Sequence, residues 1–174
     1  MVTYALFVRA VNVGGAKLPM AEFRGMLEEL GAADVRTYIA SGNAVLDLGG
    51  EPDDFARSVE RELESRYGYR REVMLRTPEE LRDALAAHPF EVIDERFSYI
   101  AMLSAEPSAD GLAAASGVRA SDDLWQVIGR ELHLRYTNGA GKAELNQETL
   151  ARRLGVAATA RNLRTIGKLI DLSS

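Results

Sequence analysis

Three stretches of this 174-residue chain gather side chains able to hold a charged small molecule. The first is Arg9-Ala10-Val11-Asn12-Val13-Gly14-Gly15-Ala16-Lys17, where an apolar run ends at an arginine and two glycines precede a lysine. Backbone amides in such a loop, with a helix behind them, favour an anion, and Lys17 adds a formal charge. Neither the Walker pattern nor a GxGxxG fingerprint is present, so the motif specifies no known nucleotide loop. Gly14-Gly15 equally suits a chain that must simply turn at positive φ. The second stretch, Thr37–Asn43, ends in Ser41-Gly42-Asn43, a tight-turn sequence with two polar side chains. The third comprises Asn138–Lys142 and Thr159–Leu169. If the latter is helical over Ala160–Ile170, then Arg161, Arg164, Thr165 and Lys168 stack on one face, with Asn162 beside them. A solvated polar face of an amphipathic helix accounts for the same pattern.

Charge sharpens this picture. There are 21 basic and 26 acidic residues, for a formal net charge of −5, which suits neither general nucleic-acid binding nor an anionic membrane. The balance is uneven: residues 1–76 hold 10 basic and 12 acidic groups, 77–136 hold 5 and 11, and 137–174 hold 6 and 3. Of the basic residues 18 are arginine and only 3 are lysine, and Lys17, Lys142 and Lys168 all fall in the stretches above. An ammonium is a compact, strongly hydrated charge with a tunable pKa, so retained lysines mark places where a guanidinium fits poorly.

Other chemistry is less well supplied. The absence of cysteine excludes disulfides, thiolate nucleophiles and cysteine-held zinc or iron–sulfur clusters. His88 precedes a proline, and His133 alternates with Leu132 and Leu134. Neither has a partner at metal-ligand spacing, and no metal or cofactor is expected. Asp122-Asp123 suits a strand-entry turn, Trp125 suits the core, and no G-x-S-x-G elbow occurs.

The elements that must position these residues follow from periodicity. Residues 3–10 read as a central strand, apolar on both faces. A helix opens near Pro19 with Met20, Phe23, Leu27 and Leu30 in phase, and Gly31 stops it. Strands over 34–40 and 43–48, a helix from Pro52 and a strand over Tyr69–Arg76 complete a β-α-β-β-α-β unit of ferredoxin-like type. The first two strands of such a unit run the same way. The glycine loop and the Ser41–Asn43 turn therefore share one end of the sheet.

Thr77-Pro78-Glu79-Glu80 then opens a helix as a capping box. A strand over Phe97–Ser104, a short helix over Pro107–Ala115 and a hairpin through Gly129-Arg130 follow, with helices over Asn146–Leu154 and Ala160–Ile170 at the end. The expected architecture is α+β: two ferredoxin-like halves, 1–76 and 77–174, packed as one compact unit with C-terminal helices. No charged leader precedes the first strand and no apolar run approaches ~18 residues, so a cytoplasmic location without membrane attachment is expected.

Arg9-Ala-Val-Asn-Val-Gly-Gly15, Met20-Ala-Glu-Phe-Arg24, Leu30-Gly31, Asp34–Tyr38 and Ser41-Gly-Asn43 resemble the N-terminal signature of a bacterial family known as domain of unknown function 1697. The T-A-R-N-x-x-T-x-x-K-L pattern of that family matches Thr159–Leu169. The resemblance spans the chain and implies a compact bacterial α+β protein with ferredoxin-like halves. It implies no reaction. Family members often carry glycine at the position of Ala10, an aromatic at that of Leu163, and a serine before the lysine where Gly141 stands.

Three readings of function stay open. A small-anion site, for a nucleotide or phosphorylated metabolite, would draw on Arg9, Asn12, Gly14, Gly15, Lys17, Ser41, Gly42, Asn43, Lys142, Arg161, Asn162, Thr165 and Lys168. A structural or interaction module would use the same polar residues only to lock the fold. RNA binding of the ferredoxin-like type requires stacking aromatics on the central strands, and Ala44–Leu48 has none.

Overall fold

The computed structural model describes residues 1–174 and divides into two compact units, Met1–Arg82 with Gly167–Ser174, and Asp83–Ile166. In the first unit the order is β1 (Val2–Val8), α1 (Met20–Glu29), β2 (Ala33–Thr37), β3 (Asn43–Leu48), α2 (Pro52–Tyr67), β4 (Val73–Arg76). The four strands form an antiparallel sheet in the order β2-β3-β1-β4. Ala5 to Val8 are all fully buried, as expected for a central strand apolar on both faces. One face, with Leu6, Val8 and Leu46, packs on Phe23, Met26 and Leu27 of α1 and on Phe55, Val59 and Leu63 of α2. Gly68, at φ 77°, caps α2 in the left-handed conformation, where glycine carries no Cβ penalty.

After β4, α3 (Pro78–Ala87) opens with the expected capping box. The Glu80 amide donates to Thr77 Oγ1 at 3.1 Å and the Thr77 amide to Glu80 Oε2 at 2.8 Å. The second unit runs β5 (Ser98–Leu103), α4 (Ala109–Ala115), β6 (Leu124–Ile128), β7 (Glu131–Arg135), a 3₁₀ turn over Ala140–Lys142, α5 (Gln147–Leu154) and β8 (Ala158–Asn162). Its sheet has the order β6-β7-β5-β8, again wholly antiparallel. Ala101, Leu103, Leu132 and Leu134 pack here against Leu150 and Leu154.

The C-terminal helix departs from expectation. Residues 158–162 are a strand, paired with β5 from Tyr99↔Asn162 to Leu103↔Ala158, and the helix α6 spans only Leu163–Leu172. Arg161 therefore does not share a helix face with Arg164, Thr165 and Lys168. The pairing with β5, remote in sequence, overrides the helical spacing of Leu163, Ile166 and Ile170 when that spacing is extended backwards.

Candidate functional site

One end of the first sheet is built by two connections. Phe7 of β1 lies opposite Asn43 of β3, and the Val8 amide donates to Gly42 O at 2.9 Å, so the loop after β1 and the turn before β3 meet. Asn12 clasps them. Its Nδ2 donates to Leu18 O at 2.9 Å and to Ala40 O at 2.6 Å, while its Oδ1 accepts from the Leu18 amide at 2.7 Å. Both donor hydrogens of that amide group are thereby used inside the fold. Asn43 is fully buried and donates to Tyr38 O at 3.1 Å and Ser41 Oγ at 2.8 Å. Gly42, at φ 82°, has no room for a Cβ, which would lie 2.6 Å from Val11 Cγ2 and 3.2 Å from the Val8 carbonyl oxygen. The same region holds three non-glycine residues at positive φ: Ala10 (52°), Asn12 (57°) and Ile39 (47°). For a β-branched residue such as Ile39 this is a strained conformation.

Arg9 is engaged beside them. Its Nε lies 2.6 Å from Glu72 Oε2, and its amide donates to Glu72 O at 3.0 Å. Burial opposes ionisation of Glu72, but the hydrogen bond from Arg9, a backbone hydrogen bond and the charges of Arg9 and Arg71 together outweigh it and hold the carboxyl below its usual range. Thus Arg9, Asn12, Ser41, Gly42 and Asn43 come together, and the bonds of Asn12, Asn43 and Arg9 described above serve the local backbone, Ser41 and one ion pair.

Beyond the clasp, Gly14, Gly15, Ala16 and Lys17 form one wall of an open cleft of about 480 Å³, and Tyr67, Tyr69 and Arg71 form the other. The amides from Val13 to Lys17 donate to no protein acceptor, in contrast to Asn12 and Leu18 on either side. Gly14 and Gly15 sit at φ 63° and 113° with open space where a Cβ would be. Tyr69 Oη donates to the Lys17 carbonyl at 2.8 Å, which fixes the loop to the opposite wall. The rings of Tyr67 and Tyr69 stack at 5.8 Å, and the Arg71 guanidinium lies 5.4 Å from the Tyr69 centroid. Burial raises both phenols above their ordinary pKa, keeping them as neutral donors. Lys17 is exposed. The cleft is therefore lined by four loop residues whose amides have no protein acceptor, by two cations and by an aromatic wall.

Lys142, Arg161, Asn162 and Thr165 belong to the second unit. Lys142 is exposed at the end of the 3₁₀ turn. Arg161 is buried on β8, donating to Thr159 Oγ1 at 2.6 Å and Ala160 O at 2.9 Å, and burial pulls it down to about 10. Asn162 caps α6, its Oδ1 accepting from the Thr165 amide at 2.9 Å. Lys168 is exposed on α6 and does not line the cleft.

Sequence reasoning missed three features. Tyr67, Tyr69 and Arg71 had a partial signal, an aromatic–aromatic–cation series at alternate positions around the glycine that ends α2. His88 and His133 had none: 45 residues apart, they meet Nδ1 to Nδ1 at 2.9 Å. Each Nε2 is buried without a partner. Burial, reinforced by the charge of His88, pulls His133 down to about 4. No cluster of three or more His, Cys, Asp or Glu is placed to hold a metal ion, so the pair is not part of a metal set. Asp123 also acts through tertiary structure, its buried carboxylate accepting from the amides of Thr137, Glu144 and Leu145 at 2.8–3.0 Å. No helix is long and apolar enough to cross a membrane.

A family model described as "Protein of unknown function (DUF1697)" matches residues 1–133. Among solved structures, the chain is similar to a conserved bacterial protein from Streptococcus pneumoniae, with a TM-score of 0.73 and 21% identity over 99% of this chain and 98% of that one. At that identity the likeness concerns the fold. No curated protein matches the sequence.

Proposed function

The chain belongs to this family of proteins of unknown function, DUF1697, and within it we propose a protein that binds a small anionic ligand, of the nucleotide or phosphorylated-metabolite kind, in the cleft between Gly14–Lys17 and Tyr67–Arg71. The observation that carries this reading is that Gly14 to Lys17, whose amides have no protein acceptor, line one cleft together with Arg71. Such amides and two cations complement the charge and acceptors of a phosphate. The cleft volume lies within the ~300–1,000 Å³ typical of small-molecule sites. The site resides on the first ferredoxin-like half, a reading supported by the β-α-β-β-α-β order and the β2-β3-β1-β4 sheet. A cytoplasmic location accords with a chain free of cysteine. The halves 1–76 and 77–174 are the functional division, with anion chemistry assigned to the first.

The residues named from sequence divide accordingly. Lys17, Gly14 and Gly15 bind. Asn12, Ser41, Asn43, Asn162 and Thr165 serve the fold, because their hydrogen bonds close on backbone or on each other. That specific observation favours the structural-module reading for these five, and the bonds of Arg9 to Glu72 and of Arg161 to Thr159 and Ala160 favour it for those two as well. RNA recognition by the sheet is disfavoured, since Ala5–Val8 and Asn43–Leu46 are all buried and present no platform to a base.

Calorimetric titration with inorganic phosphate and ribose 5-phosphate tests the reading. The wild-type chain binds, and Lys17→Ala weakens binding about tenfold or more while its melting temperature stays within about 2 °C of wild type. Absence of binding, or binding indifferent to Lys17→Ala, overturns it.

A further inference from the structure

We infer that the ligand is a nucleoside monophosphate whose base carries an exocyclic amine, held with its phosphate at Lys17 and its base edge at Glu22. The inference rests on the reading of the cleft as an anion site and adds a second cleft to it. Tyr67 lines both the basic cleft and another of about 300 Å³, whose wall includes Glu22, Glu29 and Arg66. The two ends differ in sign. The first has Lys17 and Arg71 and no carboxylate in its lining. In the second, Arg66 is already bound to Glu29 and Glu62, which leaves Glu22 as the carboxylate free to act. Glu22 Oε1 accepts from Tyr67 Oη at 3.1 Å, and its other oxygen takes no hydrogen bond within the fold. An exposed carboxylate at this point accepts from an amine and repels a second phosphate.

The stretch between the two ends is aromatic. Tyr67 and Tyr69 stack at an interplanar angle of 28°, and Tyr67 stands at the boundary shared by both clefts. A ligand spanning the clefts must therefore place a flat, apolar-faced segment against tyrosine, with an anion at one end and hydrogen-bond donors at the other. A sugar phosphate supplies the anion and hydroxyl donors but no flat, apolar face. A nucleobase with an amine satisfies all three, and stacking on an aromatic side chain is a substantial part of such binding.

Titration of the full chain with adenosine 5′-monophosphate, ribose 5-phosphate, cytidine 5′-monophosphate and uridine 5′-monophosphate distinguishes the possibilities. The adenosine nucleotide is expected to bind about tenfold or more tightly than ribose 5-phosphate, an advantage lost in Tyr67→Ala and kept in Tyr67→Phe. The cytidine nucleotide is expected to exceed the uridine nucleotide by about fivefold, a preference removed by Glu22→Gln, with phosphate affinity unchanged. If the nucleotide and ribose 5-phosphate bind equally and both depend on Lys17, the base assignment is overturned and the anion site stands. If cytidine and uridine nucleotides bind equally, the assignment of Glu22 is overturned. If nothing binds, both readings fall.

Discussion

The two units share an element order and a strand order yet differ at the corresponding end of each sheet. In the first, 11 residues (9–19) separate β1 from α1, and they include Gly14, Gly15, Lys17 and the Asn12 clasp. In the second, only 5 residues (104–108) separate β5 from α4. They carry a glutamate and no lysine, and they are spent on structure: Ser104 Oγ accepts from the Ala157 amide, and Ser108 Oγ caps α4. The β2–β3 connection holds Ile39 at positive φ, whereas β6 and β7 are joined by a two-residue Gly129-Arg130 turn with ordinary hairpin chemistry. One scaffold thus appears twice, once closed by tight turns and once opened by a long, self-clasped loop. On the proposed reading, binding capacity follows the loops rather than the sheet.

Breaking each unit at its own weakest tolerance separates their roles. The largest effect is expected in the second, where α4 and α5 approach so closely that a Cβ on Gly111 would lie 2.4 Å from the Leu154 carbonyl oxygen. Both elements are helical backbone and cannot yield cheaply, so Gly111→Ala costs about 3 kcal/mol or more and lowers the melting temperature by roughly 6–12 °C. Trp125 is the single tryptophan and lies in this unit, so its fluorescence reports the loss directly.

Acid is expected to have a slightly smaller effect on the same unit. An imidazole ordinarily titrates at 6.5, and native His133 is held at about 4 by burial and by His88. Between those values the unfolded chain binds more protons than the folded one, so stability falls as pH falls from 6.5 to 4 and is fully present above that window. The loss is of order 3 kcal/mol. Urea unfolding at stepped pH shows it as a falling midpoint, and His133→Phe flattens the slope; an unchanged slope in that variant places the acid sensitivity elsewhere.

The smallest structural effect concerns the first unit. Gly42→Ala forces a Cβ against Val11 and Val8 at φ 82°, costing about 2 kcal/mol by chemical denaturation. Because Asn12 reaches across to Ala40 in the adjoining segment, the variant also loosens the loop that carries Lys17, weakening phosphate binding more than Gly111→Ala does at equal temperature below both transitions. Equal weakening in the two variants erases the contrast between the units.

Local patterns made much of this legible. The capping box at Thr77 and Glu80, the glycine stop at Gly31 and the two-faced apolar run of the first strand are all short-range signals, and the structure contains each of them. The shared end of the first sheet followed from the parallel sense of β1 and β2. What failed was long-range. Thr159–Asn162 is a strand because β5 pairs with it, although Asn162, a capping residue three positions before Thr165, did mark where the helix begins. The His88–His133 contact is set by the fold of the whole unit and left no local trace. Tyr69 and Arg71 were read only as part of a strand over Tyr69–Arg76, whereas β4 starts at Val73, and with Tyr67 at the end of α2 they wall a cleft. The three lysines, suggestive as a set, stand in different settings: Lys17 in the cleft, Lys168 on α6 outside its lining, and Lys142 on a turn of the second unit.

The central claim is that the unpaired amides of the glycine loop hold an anion. Two-dimensional ¹H–¹⁵N spectra recorded while inorganic phosphate is added address those amides one by one. The prediction is saturable shifts concentrated at Val13, Gly14, Gly15, Ala16 and Lys17, with Arg71 responding across the cleft and the second unit silent. Shifts that are absent, unsaturable or centred outside Val13–Lys17 contradict it.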